Sequence, residues 1–288
     1  MNIEQLMQFA VSGVTAGSIY ALVALGFTLV FNATGIINFA QGQFVMLGGL
    51  IATTFANTLG WPLALAVVVA IVLTTAIGAA MEALTIRPMR GRSVFTLIMI
   101  TLGMSIIFEA AALLIWGTDP IFLPSFSGDS PIFLFGATLQ PQMLWVLGGA
   151  IVAMAALQAF YRYTIFGQAM LACSINADGA ASVGINRGRM VMVAFSLAAA
   201  LGALGGVLIA PITSTSYSIG LLMALKGFSA AIIGGMGSSL GAVIGGIGLG
   251  LAEAFGTGLI SSGYKDAIAL GLLIVFLVFR PEGLLGGK

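Results

Sequence analysis

The sequence predicts an all-α polytopic membrane protein of about eight (8–9) transmembrane helices, and three observations predict it. Apolar residues make up 60% of the 288 and charged residues only 7%, with a mean hydropathy of +1.15. A soluble domain carries roughly 25% charged residues, so ten basic and nine acidic side chains cannot clothe a water-exposed surface of this size. The apolar runs are continuous, as in Leu63 to Ala80 and Ala267 to Phe279. A β-barrel would instead alternate over about ten residues, so the spans are helices of about 20 residues each. Finally, the basic residues gather in segments that an even number of crossings separates, as short cytoplasmic loops require.

Taken in order, the spans read as 9–30, 36–56, 62–84, 94–116, 142–161 and 190–210, then a broken pair at 226–237 and 240–260, then 266–280. Counting 226–237 as a crossing gives nine; counting it as re-entrant gives eight. The whole chain, 1–288, is then one transmembrane domain. Arg87, Arg90 and Arg92, then Arg162, Arg187 and Arg189, then Arg280 and Lys288, mark three cytoplasmic regions. The segment 117–141 holds Asp119, Asp129 and four prolines but no basic residue, which makes it periplasmic. The N-terminus is outside if both early segments cross. Met1 to Gln8 lacks the basic region of a cleavable signal, so the first span is expected to stay in the mature protein.

Two segments are interrupted at membrane depth. Ile36 to Leu50 carries Asn38, Gln41, Gly42 and Gln43. Lys226 to Gly241 carries Lys226, Gly234, Gly235, Gly237, Ser238 and Ser239. Paired interrupted helices in two inverted-repeat halves point to a transport path. These two run in opposite directions, as such a repeat requires. The amides of the first need partners or water. For the second, close packing is the competing reading, because Gly237, Gly241 and Gly245, and again Gly246 and Gly250, have small-xxx-small spacing.

Catalytic chemistry has no foothold. The chain has no histidine and one cysteine, Cys173, so neither a disulfide within the chain nor a metal site is expected. No phosphate-binding G-x-x-x-x-G-K-[ST] loop occurs, no nucleophile elbow is read, and the doubled asparagine motif of a water channel is missing. A net charge of +1 implies no nucleic-acid partner.

The longest cytoplasmic segment, 161–189, reads YRYTIFGQAMLACSINADGAASVGINRGR. A short helix fits Ile175 to Gly184, with Ser174 or Asn176 as N-cap and Gly184 as C-cap. Ala180, Ala181 and Val183 would form a small apolar face beside Asp178. Such a helix either lies in the groove of a soluble partner or rests on lipid headgroups. Of the ionisable residues inside spans, Glu82 is placed within reach of Arg87, and Lys265 and Asp266 at an interface. Glu109 and Glu253 face either a protein interface or a path.

Several motifs resemble one family. GSIYALVALGFTLVFNATGIINFAQGQFVMLGG from Gly17 is similar to the opening of permease subunits of the branched-chain amino acid ABC importers. RPMRGR from Arg87, GIN from Gly184, KGFSAAIIGGMGSSLGAVIGG from Lys226, YKD from Tyr264 and FRPEGLLG from Phe279 match the same pattern in order. The likeness is greatest to the leucine–isoleucine–valine H-type subunit and covers nearly the whole chain. It implies a bacterial inner-membrane importer subunit without catalytic activity or cofactor of its own. The implied partners are a second related permease, two cytoplasmic ATPases holding ATP and Mg, a periplasmic substrate-binding protein and membrane lipid. It also implies that 161–189 is the ATPase-coupling loop, through Gly167, Ile175, Asn176, Asp178, Ala181, Gly184, Ile185 and Asn186. Asn38, Gln41, Gly42, Gln43, Lys226, Gly234, Gly235 and Gly237 would line or gate the path. In two places the sequence departs from the family: Gln41 and Gln43 stand where I-N-F-A-H-G-E has histidine and glutamate, and Leu171 stands where an arginine is usual. Relatives that carry urea, amides or aromatic and other carboxylic acids give an alternative substrate class. A stand-alone channel is the alternative outside the family.

Overall fold

The computed structural model describes residues 3–128, 130–134, 137–259 and 261–285; Asp129 and Lys288 lie outside them. The described helices are α1 (Ile3–Thr34), α2 (Gln41–Thr53), α3 (Leu63–Met81), α4 (Val94–Trp116), α5 (Pro141–Tyr163), α6 (Ile165–Ile175), α7 (Ala177–Ser182), α8 (Arg187–Thr213), α9 (Ile219–Gly234), α10 (Ser239–Leu259) and α11 (Lys265–Phe279). Six of them are long and apolar enough to cross a membrane: α1, α3 with its extension to Met89, α4, α5, α8 and α10. The chain is therefore a multi-pass membrane protein. α9 starts at Ile219, seven residues before the position read from sequence as its start. At 1.5 Å per residue it is about 24 Å long, shorter than the ~30 Å hydrocarbon layer. A small hairpin, β1 (Ile132–Leu134) with β2 (Ala137–Leu139), pairs Ile132 with Leu139, and Ile121 forms a single antiparallel bridge with Thr215. The hairpin sits in the segment read as periplasmic, where water can satisfy an open strand edge.

Several hydroxyls within the spans bond back to their own helix, whereas those of Thr28 and Thr74 are buried without a partner. Thr15 donates to the Val11 carbonyl and Ser18 to Val14, each at 2.8 Å, as lipid demands of any polar group. α1 stops at Gly35, whose φ of 74° places it in the left-handed region. α4 starts at Ser93, whose side chain caps the Thr96 N–H, and ends at Gly117 with φ 76°.

α1 and α8 form the centre. Their most apolar stretches are 83% and 67% buried, against 17–22% for α3, α4 and α5, which lie at the outside of the bundle. The main contacts recur when α1, α2 and α3 are exchanged for α8, α9 and α10. α1 packs on α9 and α10, α8 packs on α2 and α3, and α1 meets α8 as α2 meets α9.

Two polar ties fix which ends lie together. The Gln8 amide and the Thr138 backbone exchange hydrogen bonds at 3.0 and 3.2 Å, so α1 begins beside the hairpin. Arg90 donates to the Gly188 carbonyl at 2.9 Å, so the turn after α3 meets the start of α8. The start of α1 thus shares the hairpin's end of the bundle, and the arginine-bearing turn after α3 shares the end where α8 starts.

Candidate functional site

The break between α1 and α2 places its amides in the interior. Asn38, Gln41 and Gln43 are each fully buried. Asn38 accepts the Ala40 N–H through its side chain at 3.2 Å, which stands in for a cap at the start of α2. Gln41 donates to the Ala198 carbonyl of α8 at 2.9 Å, and Gln43 donates to the Ser105 hydroxyl of α4 at 2.9 Å. The space for these side chains comes from glycines. A Cβ on Gly26 would lie 2.0 Å from the Gln41 amide, and one on Gly220 would lie 2.1 Å from the Gln43 carbonyl oxygen. Gly42 puts α2 against the backbone of α9, with its own Cβ position 2.0 Å from the Gly220 carbonyl.

Each amide keeps one atom without a hydrogen-bond partner: Asn38 Nδ2, Gln41 Oε1 and Gln43 Oε1. A buried unsatisfied group costs about 1–3 kcal/mol, so three in one turn and a half call for a function or a water. The arrangement can offer a guest neutral donors and acceptors but no fixed charge. All three side chains are enclosed by helices of this one chain in the conformation described.

Lys226, placed by sequence on the same path, is found in an ion-pair cluster. Its ammonium lies 2.6 Å from Glu253 and 2.9 Å from Asp266. The Tyr20 hydroxyl donates to the other Glu253 oxygen at 2.6 Å, and the Tyr20 ring lies 5.5 Å from the ammonium. Lys265 approaches Glu253 at 3.8 Å. The cluster joins α1, α9, α10 and α11. Tyr20 and the Asp266 contact were not read from sequence. The available signal was Glu253, a carboxylate in mid-span that needs a cation.

Gly234, Gly235 and Gly237 make the turn out of α9 and also pack closely. Gly235 and Gly237 have φ of 105° and 97°, and a Cβ on Gly234 would lie 1.9 Å from the Gly241 carbonyl. Asn32, near the end of α1, donates to the Gly237 carbonyl at 2.9 Å, so the end of α1 meets the turn after α9. The backbone N–H groups of Leu284 and Leu285 donate to the carbonyls of Ile233 and Gly234 at 2.8 and 2.9 Å. The string Gly237 to Gly241 does fit the G-x-S-x-G spacing. It joins two helices, however: Ser239, the serine of that spacing, is the first residue of α10, with no strand leading in and no histidine in the chain.

The segment 161–189, read from sequence as one short helix in a loop, holds two helices. α6 occupies a stretch that sequence left as loop, and α7 is shorter than the 175–184 helix expected. Gly167 allows the tight corner after α5, its Cβ position being 2.1 Å from the Phe160 carbonyl. Asn176 caps α7 by accepting the Gly179 N–H at 2.9 Å, and Asn186 caps α8 through the Arg189 N–H at 3.1 Å. Gly184, with φ 87°, turns the chain between them. The expected apolar face is split: Ala180 is buried, while Ala181 and Val183 point outward with Asp178. Ile185 is half-buried against the core. Leu171, Ile175 and Val183 are 50%, 79% and 77% exposed. Elsewhere, Glu82 pairs with Arg90 instead of the expected Arg87, because the turn after α3 swings Arg90 back over it. Glu109 is half-buried on α4.

The family described as the permease component of the branched-chain amino acid transport system matches residues 9–277. The chain is 36% identical to the high-affinity branched-chain amino acid transport system permease protein LivH of Escherichia coli K12, covering 98% of this chain and 97% of that one. It is 34% identical to BraD, the corresponding permease protein of Pseudomonas aeruginosa, over 99% and 97%. It is 28% identical to a probable branched-chain amino acid transport permease protein LivH of Methanocaldococcus jannaschii, over 93% and 89%. With two relatives above 30% identity along its whole length and a helical, multi-pass fold, this chain belongs to the family of branched-chain amino acid transport system permease components.

Proposed function

We propose that this chain is the transmembrane permease subunit of an ATP-driven importer that moves branched-chain or other hydrophobic amino acids across the inner membrane. The observation that carries the reading is the buried polar turn at Asn38, Gln41 and Gln43, set in a family whose relatives are named as amino-acid permeases. Neutral amides suit a zwitterion that must be released again, since tight binding would slow its exit. Hydrolysis of ATP belongs in this reading to two cytoplasmic ATPases holding ATP and Mg. A second related permease completes the path, and a periplasmic binding protein delivers the substrate. Closure of the ATPases moves α7, and the permeases rock about the path. The exposed side chains of Ile175, Asp178, Ala181 and Val183 would carry that contact. A second reading keeps the importer but changes its cargo to urea, amides or carboxylic acids. It is favoured by Gln41 and Gln43, two amides where the family pattern carries titratable groups.

Co-purification tests the proposal. A tag on this subunit should retrieve a second permease and ATPases, and in nanodiscs with the binding protein the ATPase activity should rise with one class of ligand. A chain that purifies alone, with no ATPase, would favour a channel instead. Replacing Gln41 and Gln43 together by leucine should reduce uptake more than tenfold while the complex still assembles. Leucine has nearly the same volume, and it removes two orphaned oxygens along with the donors to Ala198 and Ser105, so gains and losses offset and stability should change by no more than about 1–2 kcal/mol. Undiminished uptake in that variant would remove these residues from the path.

A further inference from the structure

The cytoplasmic rim holds a cavity that none of Asn38, Gln41 and Gln43 lines. It measures about 340 Å³ and opens where the turn after α3, the start of α4 and the start of α8 converge. Arg90, Arg92 and Arg187 line it near the helix starts, and Leu97 and Val191 line it about one turn further along α4 and α8, with Ile86 beside the turn after α3. Arg87 and Arg189 line a neighbouring cavity of about 300 Å³, of which Arg90 is the shared wall. Five guanidinium groups thus meet one carboxylate, Glu82, which is buried and already bonded to Arg90. Among the described residues, neither Arg92 nor Arg187 has a carboxylate within ion-pairing distance. α4 and α8 both begin here, so the positive ends of two helix dipoles add to the field.

The apolar end decides what kind of anion fits. Val94 and Phe95, on the first turn of α4, are 55% and 69% exposed at the edge of a membrane span, so this side faces acyl chains. A free phosphate makes no use of an aliphatic wall, and a zwitterionic lipid brings no net charge to the arginines. An acidic protein segment would match the charge but not a wall at bilayer depth. We propose that this cavity binds an anionic phospholipid of the cytoplasmic leaflet, its phosphate between Arg92 and Arg187 and an acyl chain along Leu97 and Val191. Arginine is suited to this, because its planar fork meets phosphate oxygens in pairs, and basic pockets between helices on this side of a membrane hold acidic headgroups. Thr34 and Ile36, from the break that leads into the buried amides, complete the lining. The lipid would therefore touch the same segment that positions α2.

The test is lipid titration followed by native mass spectrometry on the delipidated full-length chain, purified with whatever subunits accompany it. Dioleoyl phosphatidylglycerol should bind in preference to phosphatidylcholine. Arg92→Gln with Arg187→Gln should weaken phosphatidylglycerol binding about thirtyfold, and Arg92→Lys with Arg187→Lys should restore most of it. Leu97→Trp, which keeps every charge but fills the apolar end, should weaken it as well and decides the matter if the glutamine pair does not fold. Arg162→Gln with Arg280→Gln removes the same charge elsewhere on this side and should leave binding unchanged. Equal weakening by that control pair would reduce the effect to diffuse attraction and overturn the site. Displacement of the lipid by an equal concentration of glycerol phosphate would make it a free-anion site instead. Unchanged lipid binding with loss of co-purifying ATPase, in the glutamine pair, would assign the arginines to an acidic segment of a protein partner.

Discussion

Lys226→Met should destabilise the protein by about 3–5 kcal/mol, the cost of removing one partner from a buried ion pair. The effect should be asymmetric. Without the ammonium, Glu253 is left 1% exposed with only the Tyr20 hydroxyl at 2.6 Å and Lys265 at 3.8 Å. Without its charge, in Glu253→Gln, Lys226 still has Asp266 at 2.9 Å. Lys226→Met is therefore expected to be the more damaging of the two. Replacing both, as Lys226→Met with Glu253→Leu, should recover much of the loss, because two apolar side chains of similar volume need no partner. Chemical unfolding in detergent, with size-exclusion profiles after heating, measures all three. A double variant no better than Lys226→Met, or a glutamine variant worse than it, would show that the cluster is not held as an ion pair.

The second large effect concerns glycine. α10 presents two stripes. Gly241 and Gly245 meet α9, and Gly246 and Gly250 meet α1. A Cβ on Gly250 would lie 2.3 Å from the Gly13 carbonyl oxygen, and one on Gly246 2.5 Å from the Ala21 nitrogen. From the other side, a Cβ on Gly17 would lie 2.7 Å from the Ile247 Cα. All of these are backbone atoms, which cannot turn aside as a side chain can. Gly250→Val should thus push α1 and α10 apart and cost about 3 kcal/mol or more. Gly248 on the same helix has nothing within 4 Å of its Cβ position, so Gly248→Val should be nearly silent. The pair separates close packing from any general cost of valine, and the yield of monodisperse protein reads it directly. Equal losses at both positions would mean that the seam is not the cause.

Much of this architecture is legible in the chain because lipid leaves few options. α4 was read at its observed ends, since Ser93 and Gly117 punctuate a run with one charge in it. The amides at Asn38, Gln41 and Gln43 were visible as polar groups in apolar surroundings, and Asn176 as a cap. What stayed hidden was of two kinds. α6 is only eleven residues long, too short for a span, and a neighbouring arginine with scattered polar residues made it look like loop. α9 begins at Ile219, ahead of the charged Lys226 that opens the segment 226–237 in sequence, and that ammonium is neutralised from α10 and α11. Tyr20 lies 206 residues from Lys226, and no local pattern announces a contact across that distance. Arg87 was chosen for Glu82 by proximity in sequence, but the turn after α3 decides which arginine returns.

The bonds from Leu284 and Leu285 to the carbonyls at the end of α9 bear on biosynthesis. Gly283, with φ 73°, fits there because a Cβ would lie 2.4 Å from the Gly235 nitrogen. The residues that satisfy Ile233 and Gly234 are made some fifty positions after them. At ~5–20 residues per second, the nascent α9 waits several seconds with two carbonyls open. Full satisfaction of the end of α9 thus waits for residues 284 and 285, and a polypeptide truncated before them should leave those two carbonyls without these partners.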